Sequence, residues 1–236
     1  MDKKTIIITG ATSGIGLHCV EQFADINTRI IAIGRNISTI DTNLCGVTPF
    51  TMDLSKSSEI DKFICYLKSN GITVSGFVHC AGIAPITRIG QFEYATLESA
   101  FMVNTFSFIY MLSELEKYSL LDQGGAIVAL SSIVAEYPNF SQCVYGSSKV
   151  ALNYIVRNYA KIFFKKNIRV NALELGCADT PMYRKLNQFD EQLSKYTFGA
   201  INIDCIANEI RRLLSDETKF TTGSIIRIDS GFLSNK

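Results

Sequence analysis

Lys4-Thr5-Ile6-Ile7-Ile8-Thr9-Gly10-Ala11-Thr12-Ser13-Gly14-Ile15-Gly16 opens the chain with a short apolar strand, a glycine-rich turn and then a helical run through Phe23. A strand feeding such a turn at a helix N-terminus is a cradle for phosphate, because the first N–H groups of the helix have no intrahelical partner. Gly10 permits the tight turn, Gly14 lets the backbone approach a pyrophosphate, and Gly16 allows close packing of helix on sheet. Gly10, Thr12, Ser13, Gly14, Ile15 and Gly16 are therefore cofactor-binding candidates. The spacing Gly-x-x-x-Gly-x-Gly differs from the commoner Gly-x-Gly-x-x-Gly, and a glycine-rich turn that holds no phosphate is the alternative reading.

Outward from this turn, apolar strand-like runs recur at residues 29–33, 48–52, 76–80, 126–131, 168–173 and 224–229, with longer helix-like stretches between most of them. The alternation predicts an α/β fold: a Rossmann-type, doubly wound, seven-stranded parallel sheet flanked by helices on both faces. The polar stretch 36–46 leaves room for only a turn or so of helix. Two long helices are expected, at about 94–118 and about 145–165. Phe101, Phe106, Phe108, Tyr110 and Leu112 on the first, and Leu152, Ile155, Tyr159, Ile162 and Phe163 on the second, carry more apolar surface than one sheet face needs. An exposed remainder would mark an association surface, and ordinary core packing is the alternative.

A chain of 236 residues without a proline-rich, serine-rich or charge-block linker reads as one domain. A formal charge of +1 with acids and bases interspersed gives no basic stripe, which argues against nucleic acid as a partner. No apolar run approaches the ~20 residues of a membrane span. Met1-Asp2-Lys3-Lys4 passes directly into the first strand, so a cytoplasmic location is expected. Seven cysteines with no Cys-x-x-Cys spacing suggest reduced thiols used as small buried hydrophobes, Cys143 and Cys177 included, although those two could line a pocket. His18 and His79 are the only histidines and form no metal site.

In Val144-Tyr145-Gly146-Ser147-Ser148-Lys149, the tyrosine and lysine stand four apart and share a helix face. The ammonium would favour the phenolate and bring an ordinary phenol of pKa ~10 nearer neutrality. Ten tyrosines and fourteen lysines give about 0.6 such spacings by chance, so the pair alone decides little. Ser132, thirteen positions before the tyrosine, supplies a second hydroxyl.

Taken in order, these elements resemble the short-chain dehydrogenase/reductase family, from Lys4 to about Phe232. Residues 9–16 resemble its cofactor turn, Asp53-Leu54 its adenine-side acid, and Cys80-Ala81-Gly82 its Asn-Ala-Gly element. Asn104, Ser132, Tyr145 and Lys149 fall where the family carries its catalytic tetrad. Leu175-Gly176 and Asp179-Thr180-Pro181-Met182 resemble the nicotinamide-side loop, which adds Gly176, Thr180 and Met182 to the cofactor candidates. Three departures stand out: Cys80 for asparagine, Glu174 at a position commonly small and polar, and Leu175 for proline.

The resemblance implies an NAD(P)-dependent enzyme acting on a small-molecule carbonyl or alcohol, assembled as a homodimer or homotetramer. Ser132 and Tyr145 would hold the carbonyl oxygen, and Tyr145 would give the proton. Lys149 would hold the nicotinamide ribose, and Asn104 would position a water. An acid after the second strand binds the ribose of NAD, whereas an arginine accommodates the 2′-phosphate of NADP. Gly34 occupies the acid position and Arg35-Asn36 follows, which points to NADP rather than NAD. Residues 177–200, with Met182, Tyr183, Leu186, Phe189, Tyr196 and Phe198, are expected to form a lid. Arg184, Lys185 and Lys195 could contact an anion, although a solvated face is the blander account. The chain also resembles 3-oxoacyl-(acyl-carrier-protein) reductases at Thr222-Gly223-Ser224 and Asp229-Ser230-Gly231, yet Leu120-Leu121-Asp122-Gln123 lacks a basic docking residue. A non-catalytic NADP-binding regulator is the reading from another class.

Overall fold

Seven strands make one parallel sheet in the computed structural model, which describes residues 3–86, 88–184 and 193–235. They are β1 (Lys4–Thr9), β2 (Thr28–Gly34), β3 (Val47–Thr51), β4 (Val74–His79), β5 (Leu121–Ser132), β6 (Arg169–Leu175) and β7 (Ile225–Ile228). Their spatial order is β3-β2-β1-β4-β5-β6-β7. Parallel strands are covered on both faces and so read as continuous apolar runs; Ile7 and Ile8, on opposite faces of β1, are both fully buried. Pro49 sits in β3, an edge strand, where a missing N–H is tolerated.

The helices are α1 (Gly14–Phe23), α2 (Ser57–Ser69), α3 (Tyr94–Phe101), α4 (Ser107–Lys117), α5 (Cys143–Ile162), α6 (Pro181–Arg184) and α7 (Ile203–Leu214). On one face of the sheet α1 and α7 bury Val20, Phe23, Ile206, Ile210 and Leu213 against Ile8, Ala32 and Val128. On the other, α2, α4 and α5 bury Phe63, Phe108, Leu152 and Val156 against Ile7, Phe77 and Ile127. Phe77 and Phe108 stack at 5.8 Å between ring centres. Each such side chain contributes roughly 1.5–3 kcal/mol on burial.

The seven predicted strands are all present, with ends that shift by a residue or two except in β5. That strand starts at Leu121 rather than 126, because its pairing with β4 slips between Val74 and Gly76 and continues past Gly124 and Gly125. The first long helix is interrupted: a π-turn at Met102–Phe106 separates α3 from α4. The second starts at Cys143 and ends in a 3₁₀ turn, Phe163–Lys166, closed by Asn167 in the left-handed region. Between β2 and β3 the chain forms only a 3₁₀ turn, Ile37–Thr39.

Strand order reverses between β1 and β4, so the loops leaving their carboxyl ends diverge to opposite faces and leave a crevice above the sheet.

Candidate active site

The crevice is a cleft of about 1210 Å³ lined from Gly10 at one end to Phe232 at the other. That exceeds the ~300–1,000 Å³ of an ordinary single-ligand pocket, leaving room for a dinucleotide and a second molecule. Its floor is the β1–α1 turn. Gly10 has φ +65°, and a Cβ there would lie 2.8 Å from the Ala81 backbone; at Gly16 a Cβ would lie 2.3 Å from the Gly10 carbonyl oxygen. The turn is thus pressed against Cys80-Ala81-Gly82 at the end of β4. Ser13 N-caps α1 without a side-chain bond, so the first N–H groups of the helix face the cleft, fitted to the phosphates of a dinucleotide.

Thr9 braces this junction. Its hydroxyl accepts from the Ala81 N–H at 3.3 Å and shares a 3.0 Å hydrogen bond with His79 Nδ1. Burial, reinforced by the nearby Lys149 charge, holds His79 down at about 3 from an ordinary 6.5. A depressed folded-state pKa gives stability that is complete above pH 6.5 and is lost as pH falls through about 3. The span corresponds to roughly 5 kcal/mol. Urea unfolding between pH 7 and pH 4 is expected to show a falling midpoint that His79→Gln flattens; an identical slope in the variant would rule His79 out as its source.

At the adenosine end lie Arg35, Asp53, Leu54 and Ser55. The Ser55 hydroxyl and N–H donate to Asp53 Oδ1 at 2.7 and 3.0 Å. The hydroxyl bond does most to hold the Asp53 carboxyl below the usual range, with Lys56 and Arg35 helping. The exposed Arg35 guanidinium lines the cleft and makes no hydrogen bond or salt bridge among the described residues. A Cβ on Gly34 would come within 2.3 Å of the Thr12 methyl, so this position has no room for an acid as Thr12 stands. Asn36 lies outside the cleft wall; its side chain accepts from Ser38 N–H and caps the 3₁₀ turn.

Ser132, Tyr145 and Lys149 meet on the facing wall. Ser132 ends β5, and Tyr145 and Lys149 occupy the first turns of α5. Lys149 Nζ stands 5.7 Å from the centre of the Tyr145 ring and donates to the Leu130 carbonyl at 2.7 Å. Its burial lowers the lysine to about 8, which leaves it a cation at neutral pH. The phenol behaves otherwise than the spacing suggested. Burial raises the Tyr145 pKa and a hydrogen bond with Ser132 lowers it, with burial the larger effect. The ammonium is turned toward the Leu130 carbonyl, and the phenol keeps its proton through the neutral range.

Asn104 is fully buried behind this wall, inside the π-turn. Its Oδ1 accepts from Ile83 N–H at 2.8 Å, and its Nδ2 donates to the Ile83 carbonyl and to Ser148 Oγ, both at 2.9 Å. The side chain is a brace between the β4 loop and α5. Ser148 completes it, donating to the Tyr145 carbonyl at 2.7 Å while its own carbonyl accepts from Thr105 Oγ1 at 2.9 Å. Sequence reading passed over Ser148 and Thr105, although their small hydroxyls beside the Tyr-Lys pair were a usable signal.

At the far end Leu175, Gly176, Thr180, Pro181 and Met182 line the cleft, with Tyr183, Lys195 and Tyr196 across from them. A Cβ on Gly176 would sit 2.9 Å from the Tyr196 ring. Tyr196 packs on Phe232 at 4.9 Å. Arg184 is held by Asp179 at 2.6 and 2.8 Å and does not line the cleft; Phe198 lies outside it and is exposed. Lys185, Leu186 and Phe189 lie outside the described residues. Tyr137, Phe140 and Gln142, between Ser132 and Tyr145, complete the wall and were not anticipated.

Comparison with known proteins agrees with this geometry. The family model described as enoyl-(acyl carrier protein) reductase matches residues 10–233. L-xylulose reductase from Caenorhabditis elegans is 30% identical over 98% of this chain and 96% of its own length. A 3-oxoacyl-(acyl-carrier-protein) reductase from Thermotoga maritima is 28% identical over 99% of both chains. Among solved structures, 4-hydroxyisoleucine dehydrogenase complexed with NADH superposes with a TM-score of 0.90 at 26% identity, covering 99% of this chain and 100% of that one.

Proposed function

Because the chain belongs to the short-chain dehydrogenase/reductase family of nicotinamide-dependent oxidoreductases, we propose that it uses NADP to interconvert a small-molecule carbonyl and its alcohol. The observation that carries this reading is the meeting of Ser132, Tyr145 and Lys149 opposite a phosphate-accepting turn in a cleft large enough for two ligands.

Bound in the cleft, NADP would supply or accept the hydride. The turn from Gly10 to Gly16 would hold the pyrophosphate, Asp53 and Leu54 the adenine, and Cys80, Ala81 and Gly82 the cofactor side of the β4 loop. Gly176, Thr180 and Met182 would flank the nicotinamide, and Lys149 its ribose. Ser132 and Tyr145 would grip the carbonyl oxygen with two hydroxyls, and the protonated phenol, kept neutral by burial, would give its proton to that oxygen. Ser132, whose hydrogen bond lowers the phenol's pKa, then stabilises the phenolate left behind, while Lys149 stays a buried cation turned to the Leu130 carbonyl. Asn104 fixes the first turn of α5 so that both groups face the same point.

The preference for NADP rests on Arg35, a guanidinium at the adenosine end with no hydrogen-bond or salt-bridge partner among the described residues, beside a position where Thr12 leaves no room for an acid. Arg35→Ala is expected to raise the NADPH KM about 10- to 100-fold, the worth of one charge-assisted contact, with little change for NADH. Steady-state kinetics with both coenzymes decides it: wild-type kcat/KM for NADH equal to or above that for NADPH would end the assignment.

An NADPH oxidation screen over ketones, sugar-derived carbonyls and acyl thioester mimics tests the substrate class. The Thermotoga maritima relative supports acyl reduction as a second reading. Against it, the stretch Leu120–Gln123 carries no basic residue for an acidic carrier, and its Asp122 is engaged by Ser75 Oγ at 2.6 Å. NADPH binding without oxidation across the whole panel would favour a regulator instead. The expected lid at 177–200 falls partly on residues 185–192, which lie outside the described residues; of its described part, Met182, Tyr183, Lys195 and Tyr196 line the cleft. Exposed Phe106, Val150, Tyr154 and Ile162 on and beside α4 and α5 support a homo-oligomer. No helix among the described residues is long and apolar enough to cross a membrane.

A further inference from the structure

Glu174 is fully buried at the end of β6, directly across from Ser131 of β5 and Arg227 of β7. Two side chains hold its carboxylate: Asn153 of α5 donates from Nδ2 to Oε2 at 3.2 Å, and Arg227 donates from Nε to Oε1 at 2.9 Å. Arg227 does not stop there. Its other guanidinium nitrogen reaches Glu136 in a second ion pair, and its guanidinium carbon lies 5.6 Å from the centre of the Tyr137 ring. Glu136 and Tyr137 directly follow the 3₁₀ turn that Ser132 begins, and Tyr137 lines the cleft where the substrate would enter. Neither Arg227 nor Glu136 lines the cleft itself.

One planar fork thus spans a buried acid on the sheet and an exposed acid on the segment between Ser132 and Tyr145. A guanidinium fork serves both acids at once, whereas an ammonium makes one point contact. The outer pair adds a long-range tether to the loop that carries Tyr137, and a wall held in place before binding has less to reorder when a ligand arrives.

We propose that Arg227 is a positioning residue, bridging Glu174 and Glu136 so that Tyr137 is held as a fixed substrate-side wall of the cleft. The proposal rests on the carbonyl-reductase reading for its kinetic consequence but not for its structural one. Arg227→Lys keeps a cation for Glu174 and loses the bridge; Glu136→Ala removes only the exposed outer partner. Both variants are expected to raise the carbonyl KM about tenfold, to leave kcat within about twofold, and to leave NADPH binding and the unfolding midpoint unchanged. Tyr137→Ala is expected to show the same KM defect, and Glu136→Ala combined with Tyr137→Ala to be no worse than either alone. Hydrogen exchange measured without coenzyme supplies a readout independent of turnover: amides of residues 133–142 are expected to exchange faster in both bridge variants. Unchanged exchange in that segment, additive KM effects in the double variant, or a fall in the unfolding midpoint with no KM change would each overturn the proposal. Faster exchange in a protein that oxidises NADPH with no carbonyl would retain the bridge and reject the reductase reading alone.

Discussion

Tyr145→Phe is expected to lower kcat by about 10²- to 10⁴-fold, the range a positioned proton donor supplies, while the dissociation constant for NADPH stays within about twofold. The substitution keeps the ring, which Lys149 Nζ faces at 5.7 Å, and deletes only the hydroxyl that Ser132 contacts. Nothing in the glycine turn or at Arg35 is touched, so coenzyme binding followed by fluorescence has no reason to fail. The carbonyl KM is expected to change little, because Ser132 still offers one donor to the oxygen. Wild-type turnover in the variant would show that some other group gives the proton, and Lys149, the buried cation on the same wall, would become the first candidate.

The second large effect concerns stability. Arg227→Met is expected to cost about 3–5 kcal/mol, because it leaves the Glu174 carboxylate buried with Asn153 as its one remaining side-chain hydrogen-bond partner among the described residues. The methionine stem replaces most of the volume, so the loss is electrostatic rather than a cavity. Urea unfolding at constant m is the measurement. Converting the acid as well, in Glu174→Leu with Arg227→Met, is expected to recover most of the loss, since removing both members of a buried pair is commonly neutral. A single variant as stable as wild type would mean that the carboxylate does not need its cation, and the bridge to Glu136 would lose its anchor.

The parts of this molecule that were legible in the sequence are those written locally. β-branched runs gave all seven strands, because a sheet buried on both faces leaves no polar alternation to confuse the reading. The glycines of the first turn announced a close backbone approach that the structure shows as a 2.8 Å and a 2.3 Å exclusion. What the sequence could not show depends on partners distant along the chain. Period alone does not distinguish one helix at 94–118 from two joined by a π-turn, since the apolar face continues across Met102–Phe106. The start of β5 depends on a slip against β4 that polar Asp122 and Gln123 conceal. The phenol's pKa was misjudged because spacing sets which residues are neighbours but not where an ammonium points, and Lys149 points to Leu130. Glu174 stood out only as a departure from a position commonly small and polar; the register of β6 with β7 supplies its cation.

The contact between Gly34 and the Thr12 methyl, 2.3 Å for any added carbon, bears on how this enzyme's coenzyme preference could be redesigned. Grafting an aspartate or glutamate at residue 34 is a two-locus problem: the newcomer and the threonine compete for one space, so trimming residue 12 has to accompany it. Replacing Arg35 by itself would leave that space just as closed. Lineages drifting between the two dinucleotides would have to cross that steric ridge by changing the phosphate loop and the strand end together.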